Sequence, residues 1–148
     1  MGEMIEGVII TNLKVIDVVG GDVLHAMKAE DLGYDGFGEA YFSIIKKGVI
    51  KGWKCHKKMT LNIVVPLGAV RFKIFDDRKG SLTYGDCQEV FLSRVNYRRL
   101  TIPPMVWIGF QGSDEKDSML LNIANIPHDP SEMVSKKLNE IDIDWESG

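Results

Sequence analysis

The chain has 148 residues, of which 45% are hydrophobic and 26% are charged. This composition is typical of one soluble globular domain rather than a disordered tail, a collagen or a membrane span, so we expect a single domain over residues 1–148. The formal net charge is −3, with 18 Lys and Arg against 21 Asp and Glu. Because an acidic chain offers no bulk attraction for a phosphate backbone, nucleic acid is disfavoured as a partner.

The cysteine pattern and the start of the chain bear on the cellular compartment. Cys55 and Cys87 lie far apart, and neither belongs to a C-x-x-C motif. The chain does not begin with a basic segment followed by an apolar run. These features argue against a secreted disulfide protein, a zinc finger and a membrane protein, and they predict a cytoplasmic location.

Short stretches rich in apolar, β-branched and aromatic residues recur along the chain, separated by Gly, Pro, Asp and Asn. This pattern is typical of β-strands joined by turns. The predicted strands, in chain order, are Gly7–Ile10, Leu13–Val19, Glu39–Ile45, Val49–His56, Thr60–Val65, Ala69–Asp76, Gln88–Ser93, Arg98–Ile102, Val106–Gln111 and Ser118–Ala124.

Two segments, Asp22–Glu30 and Ser131–Leu138, have helical patterns instead. The second begins with Ser131 as the expected N-cap and has the acidic Glu132 in its first turn. We expect both helices to be short and peripheral. The chain has no βαβ alternation and no glycine-rich phosphate loop after a strand, which excludes nucleotide folds of the Rossmann and P-loop types.

So many strands in one domain hide their unpaired edges best in a double-sheet jelly roll or a small barrel. The mouth of such a fold serves as the ligand pocket. We therefore predict an all-β jelly roll with one or two peripheral helices.

The segment from Gly48 to Gly68 resembles the first conserved motif of cupins. In metal-binding cupins a glycine is followed after five residues by His-x-His, a Glu and a closing glycine. Lys54 takes the position of the first histidine and His56 that of the second, and no glutamate follows.

The second cupin motif, Pro-x-Gly-x-x-His, corresponds to residues 103–108, with Met105 and Ile108 at its glycine and histidine positions. A stable transition-metal site needs at least three converging ligands, so we predict no bound metal and no cofactor.

Several further segments of the chain are informative: G-F-G-E at 36–39, G-V-I-K-G-W at 48–53, F-D-D-R at 75–78 with S-L-T-Y-G at 81–85, L-T-I-P-P at 100–104, G-F at 109–110 and I-D-I-D-W-E at 141–146. Through these segments, from about Gly33 to Trp145, the chain resembles the dTDP-4-dehydrorhamnose 3,5-epimerase family among the cupins. The resemblance implies a cupin jelly roll and proton exchange next to the keto group of a nucleotide-linked 4-keto-6-deoxy sugar, without a metal. It also implies a homodimer, because small cupins commonly pair or exchange their N-terminal strands.

The family's catalytic groups are replaced in this chain. The base of the family is a histidine in an Arg-Gly-Leu-His stretch, which corresponds here to Lys51-Gly52-Trp53-Lys54, so Lys54 stands at the position of the base. The family's lysine on the next strand falls near Leu61, and its acidic tyrosine falls near Leu121 or Asn122.

Lys54 and His56 lie two residues apart, so both side chains point to the same face of a strand. An imidazole titrates near neutrality, whereas a lysine acts as a base only when its pKa is lowered from about 10.4. His56 is therefore the first candidate for proton transfer. Lys54 is an alternative base, or the cation that stabilises an enolate oxygen. The competing interpretation is a solvated strand end, since Lys57 and Lys58 continue the charge.

The remaining candidates would bind the substrate. Lys51 and Arg78 are candidates for the diphosphate, and Trp107 is placed where it could stack on a base or pack in an interface. Asp76 is expected to pair with Lys54 or His56 across the barrel. The other predicted contacts with the substrate are Glu39, Tyr41 and Asn122.

The predicted function is a metal-independent epimerase or isomerase that acts on a nucleotide-linked 4-keto-6-deoxy sugar in the synthesis of a surface polysaccharide. Two alternatives stay open at this point. One is a degenerate cupin that binds a sugar nucleotide or a sugar without turnover, as an accessory or regulatory protein. The other is a ketoisomerase, which uses the same enolate chemistry.

Overall fold

The computed structural model describes residues 4–146, so the predicted domain 1–148 extends beyond the described part at both ends. The regular elements are short strands, which form two antiparallel sheets packed face to face, and a small separate ribbon. The prediction of an all-β jelly roll is confirmed. In residues 4–146 we find no helix with the length and apolar character needed to cross a bilayer.

Each large sheet contains five strands. The first sheet, in spatial order, consists of β1 (Ile9–Asn12), β9 (Arg98–Ile102), β6 (Leu61–Leu67), β11 (Ser118–Ala124) and β4 (Glu39–Ile45). The second consists of β12 (Met133–Ser135), β5 (Ile50–His56), β10 (Trp107–Gly112), β7 (Ala69–Phe75) and β8 (Cys87–Ser93). The ribbon pairs β2 (Val15–Ile16) with β3 (Val23–Leu24).

The main hydrophobic core lies between the two sheets, because alternate residues of each strand point inward. Leu61, Ile63 and Val65 of β6 are each at most 4% exposed. They belong to one cluster with Phe72 and Ile74 of β7, which are fully buried in the facing sheet. The core fills part of the space between the sheets and leaves the rest to a cavity.

A second hydrophobic cluster covers the outer face of the second sheet. Trp53 of β5 and Trp107 of β10 meet Trp145 of the C-terminal segment there, and the ring centroids of Trp53 and Trp145 lie 5.4 Å apart. Gly109 permits this packing, since a Cβ at that position would lie 2.8 Å from an indole carbon of Trp145. The C-terminal segment therefore shields the back of β5 from water.

Every predicted strand overlaps an observed one, and Glu39–Ile45, Arg98–Ile102 and Ser118–Ala124 have the observed bounds. The prediction missed β3 and β12. Both are three residues or shorter, too short to produce a recognisable alternation.

The predicted helix over Asp22–Glu30 is wrong. The segment begins with β3 and continues as an irregular loop against the outer face of the first sheet. The fully buried Arg99 of β9 donates hydrogen bonds to the carbonyl oxygens of Ala26 and Leu32, at 2.7 and 3.2 Å. These carbonyl groups therefore accept hydrogen bonds from the guanidinium of Arg99 instead of from the backbone N–H groups of a helix.

The predicted helix over Ser131–Leu138 is also wrong. Only Pro130–Glu132 and Leu138–Glu140 form single turns of 3-10 helix, with β12 between them. The N-cap of the first turn is Asp129, whose carboxylate accepts the backbone N–H of Ser131. The segment is extended at β12 because its backbone pairs with the open edge of β5.

The loop between β7 and β8 is organised by Asp76, which is fully buried. Its carboxylate accepts hydrogen bonds from Arg78 at 2.9 Å and from the hydroxyl groups of Ser81 and Thr83 at 2.6 Å each. Burial raises the pKa of the Asp76 carboxyl, but these hydrogen bonds outweigh it and hold the pKa well below its usual value. The expected pairing of Asp76 with Lys54 or His56 is therefore wrong.

We expect Asp76→Asn to lower the free energy of unfolding by about 3 kcal/mol at neutral pH, because it leaves buried donors facing an amide. A carboxyl whose folded-state pKa is depressed stabilises the fold above its unfolded-state pKa of about 3.9, and this contribution is lost as the pH falls through the folded-state value. Urea unfolding should therefore show the difference from the unsubstituted protein narrowing between about pH 5 and about pH 3.

Asp77→Asn is the matched control, since Asp77 is the exposed neighbour of Asp76. It should leave the unfolding free energy nearly unchanged. A deficit for Asp76→Asn that is equally large at both ends of this pH range would contradict the assignment.

Candidate active site

A cavity of about 230 Å³ lies between the two sheets. Its two walls differ in character. The wall from the second sheet carries basic groups, namely Lys51, Lys54 and His56 of β5. The wall from the first sheet carries Glu39, Tyr41, Ser43 and Asn122, with Leu61, Ile63 and Leu120 at its apolar part.

A β-bulge in β5 brings Lys51 to the same cavity as Lys54. Lys54 pairs with Ile108 of β10 and Lys51 pairs with Phe110, so three residue steps on β5 oppose two on β10. Strict alternation would turn residues three apart to opposite faces. The extra residue restores Lys51 to the inner face, where its ammonium donates a hydrogen bond to the carbonyl oxygen of Ile44 at 3.0 Å.

His56 is held by a buried carboxylate. Its Nδ1 lies 2.5 Å from Oε1 of Glu132, and the Glu132 side chain is only 3% exposed. The other carboxylate oxygen accepts the backbone N–H groups of Lys58 and Met59, at 3.1 and 3.3 Å. Burial raises the pKa of the Glu132 carboxyl, but the hydrogen bond from His56 and those from the backbone outweigh it and lower the pKa.

This arrangement prepares His56 for proton transfer. A carboxylate on Nδ1 selects the tautomer that carries its proton there and stabilises the imidazolium once it forms. The other ring nitrogen, Nε2, makes no hydrogen bond to residues 4–146, and the ring lines the cavity. His56 can therefore accept a proton at Nε2.

Lys54 lies beside His56 on the same wall. Within the described chain, its ammonium has neither a hydrogen-bond acceptor nor a carboxylate partner. Lys47, by contrast, pairs with Glu115 at 2.8 Å outside the cavity. Lys54 therefore offers an uncompensated positive charge next to a proton acceptor.

The opposite wall contains a hydrogen-bonded pair. Nδ2 of Asn122 donates to the phenolic oxygen of Tyr41 at 2.8 Å. Oδ1 of Asn122 is buried and has no hydrogen-bond partner among residues 4–146. Glu39, on the same strand as Tyr41, accepts the backbone N–H of His128, and His128 also lines the cavity.

The sequence model of the dTDP-4-dehydrorhamnose 3,5-epimerase family matches residues 3–148 of the chain. The chain belongs to this family. A dTDP sugar isomerase from Desulfovibrio desulfuricans is similar in structure, with a TM-score of 0.93 and 34% identity over 97% of this chain and 94% of that one. A dTDP-6-deoxy-D-glucose-3,5-epimerase from Legionella pneumophila, solved with dTDP-4-keto-L-rhamnose, has a TM-score of 0.85 and 25% identity over 100% of this chain and 83% of its own.

A curated relative is the probable low-salt glycan biosynthesis epimerase of Haloferax volcanii. It is 30% identical over 84 residues, which are 56% of this chain and 54% of that protein. The match thus spans about half the length of the curated relative. The named relatives agree with the family in being epimerases or isomerases.

The structure of this family member brings together most of the predicted site residues. Lys51, Lys54, His56, Glu39, Tyr41 and Asn122 all line the cavity. In residues 4–146 there is no group of three or more His, Cys, Asp and Glu side chains that could hold a metal ion. The polar groups that face the cavity are those of an acid–base site.

Three predicted contacts with the substrate lie elsewhere. Asp76 and Arg78 pair with each other in the loop after β7, and Arg78 also donates to the carbonyl oxygen of Glu6 at 2.6 Å. Trp107 points to the outer face, where the ammonium of Lys136 lies 4.7 Å from its ring centroid. Its β10 neighbour Ile108 faces the cavity instead.

Sequence reasoning missed the role of Glu132. We expected this residue in the first turn of a helix, where an acidic side chain would interact with the helix dipole. No spacing rule links it to His56, because the two residues are 76 positions apart. His128 also lines the cavity, and no sequence pattern had assigned it to the site.

We expect Glu132→Gln to lower the free energy of unfolding by about 2 kcal/mol, because the amide cannot accept from both His56 and the backbone N–H groups of Lys58 and Met59. Urea unfolding at neutral pH measures this effect. Glu30→Gln, at an exposed position, should change the unfolding free energy little. Equal stability of the two variants would contradict the buried role of Glu132.

Proposed function

We propose that the protein is an epimerase of a dTDP-linked 4-keto-6-deoxy sugar, acting at C3, C5 or both, in glycan biosynthesis. The observation that carries this proposal is the His56–Glu132 pair in the cavity between the sheets, beside the ammonium of Lys54, which has no partner among residues 4–146. Membership of the family and the dTDP sugars named for its structural relatives support the choice of substrate. The protein works as a single cupin-like domain over residues 1–148.

The chemistry begins with a proton next to the keto group. Nε2 of His56 removes it, and Glu132 stabilises the imidazolium that forms. Negative charge develops on the keto oxygen at the same time, and a cation placed there in advance lowers the barrier. Lys54 supplies that cation, and Lys51 and Asn122 contact other parts of the sugar nucleotide.

Incubation with dTDP-4-keto-6-deoxyglucose in deuterium oxide, followed by proton NMR, tests the proposal. We expect deuterium uptake at a carbon next to the keto group. His56→Ala should slow this uptake by about a hundredfold or more, the range of a positioned general base. His25→Ala, in a loop outside the cavity, should exchange at the unsubstituted rate.

Other results would point to another function. Tight binding of the sugar nucleotide without any deuterium uptake would leave the non-catalytic binding protein. Uptake that ends in a moved keto group instead of an inverted centre would identify a ketoisomerase. Unchanged uptake in both His56→Ala and Lys54→Met would contradict the assigned site.

We further propose that the protein is a homodimer and acts in the cytoplasm. The outer face of β4 is apolar and open, with Phe42 63% and Ile44 47% exposed, and it continues onto Met119 and Leu121 of β11. A contiguous apolar patch of this kind is typical of an interface between subunits. Cys55 and Cys87 are both free thiols, which agrees with a reducing compartment.

Phe42→Asp should convert the dimer into a monomer, because it places a charge in the centre of the apolar face. Size-exclusion chromatography with light scattering measures the mass. Val95→Asp is the control, since Val95 is 98% exposed away from this face. The same mass for both variants would place the interface elsewhere.

A further inference from the structure

Inversion of a carbon requires two proton-transfer groups on opposite sides of the sugar. The base removes the proton from one side, and an acid must deliver a proton from the other. His56 belongs to β5 in the second sheet, so the acid must come from the wall built by the first sheet. We propose that Tyr41 is this acid and that Asn122 supports it. The inference rests on the proposed epimerase function.

The side chains on the first-sheet wall leave few candidates. Four of them have polar groups: Glu39, Tyr41, Ser43 and Asn122. An aliphatic hydroxyl and a carboxamide are too weakly acidic to protonate an enolate, and an ordinary carboxyl group is ionised at neutral pH. A phenol, with an ordinary pKa of about 10, keeps its proton at neutral pH and can still release it. Tyr41 is the residue on this wall that meets both conditions.

Asn122 makes the phenol of Tyr41 a better donor. The two residues are direct partners in the pairing of β11 with β4, and Nδ2 of Asn122 donates to the phenolic oxygen at 2.8 Å. Because that oxygen accepts an N–H, its own O–H is available to donate into the cavity. The same N–H stabilises the phenolate that remains after proton delivery.

The other end of the Asn122 amide also points to a ligand. Asn122 is 6% exposed, and its Oδ1 has no hydrogen-bond partner in residues 4–146. A buried carbonyl oxygen without a donor costs free energy that a hydroxyl group of a bound sugar would recover. Asn122 therefore contacts Tyr41 through its nitrogen and accepts a sugar hydroxyl through its oxygen.

The proton balance of the step closes. His56 takes the proton, the electrons of the C–H bond become the C=C bond of the enolate, and the carbonyl π electrons move to oxygen. On return, the C=C electrons form a new C–H bond with the proton of Tyr41, and the carbonyl group is restored. The imidazolium then loses its proton to solvent and the phenolate regains one, which leaves the enzyme unchanged.

His128 is the competing donor, because it also lines the cavity. It belongs to the exposed loop that follows β11. Its backbone is tied to Glu39, whereas its ring makes no hydrogen bond to the described residues. Tyr41, by contrast, lies within a strand and has its oxygen held by Asn122.

The test separates proton removal from inversion in deuterium oxide. With Tyr41→Phe, His56 still exchanges the carbon-bound proton, but no acid delivers a proton from the opposite side. We expect deuterium uptake within about threefold of the unsubstituted rate and inversion slowed by about a hundredfold or more. Asn122→Leu should slow inversion at saturating substrate by about tenfold with uptake retained, because it removes the N–H that supports the phenol, and it should raise the KM because it also removes the acceptor of a sugar hydroxyl. Tyr84→Phe, at an exposed tyrosine outside the cavity, is the control.

The other outcomes count against Tyr41. Equal loss of uptake and inversion in Tyr41→Phe, at an unchanged melting temperature, would overturn the proposal, because the acid acts after proton removal. Retained inversion in Tyr41→Phe together with its loss in His128→Ala would assign the acid to His128. Absence of uptake in the unsubstituted protein would instead refute the epimerase function on which the inference rests.

Discussion

The hydrogen bond between His56 and Glu132 joins the last residue of β5 to the turn that precedes β12. One carboxylate binds the imidazole and two backbone amides of the following loop, and its side chain is 3% exposed. The cost of burying this charge is offset only while all of these donors are present. The contact therefore fixes the ring of His56 and, at the same time, the course of the chain around the cavity.

The two faces of β5 have different tasks. The inner face presents Lys51, Lys54 and His56 to the cavity, and the outer face presents Trp53 and Cys55 to the tryptophan cluster. The aromatic packing behind the strand holds its backbone in place, so the polar side chains in front have a rigid support. A site built on a strand that is packed from behind keeps its geometry better than one built on a loop.

The cavity is divided by charge. Basic groups lie on the second-sheet wall, and the phenol and the amide lie on the first-sheet wall. This division suits a reaction in which negative charge develops on a carbonyl oxygen while a proton leaves one side of a carbon and returns to the other. By the resemblance, Lys54 stands at the position of the family's histidine, and Leu121 or Asn122 lies near the position of its tyrosine. His56 lies two residues farther along β5 and Tyr41 lies directly across from Asn122, so the cavity still contains an imidazole and a phenol.

The sequence by itself determined most of the strands, because alternation with a period of two and turn residues are local properties. It also predicted that Lys54 and His56 share one face of β5, and its motifs identified the family. Only the tertiary structure decided that Glu132, and not Asp76, holds His56, that a bulge brings Lys51 to the cavity, and that Asp76, Arg78 and Trp107 lie outside it. The two helix predictions were wrong for the same reason. Arg99 binds the backbone of the first segment and the edge of β5 pairs with the second, and both partners are distant in sequence. Contacts between residues about 75 positions apart leave no periodic signal, because they depend on how the two sheets fold onto each other.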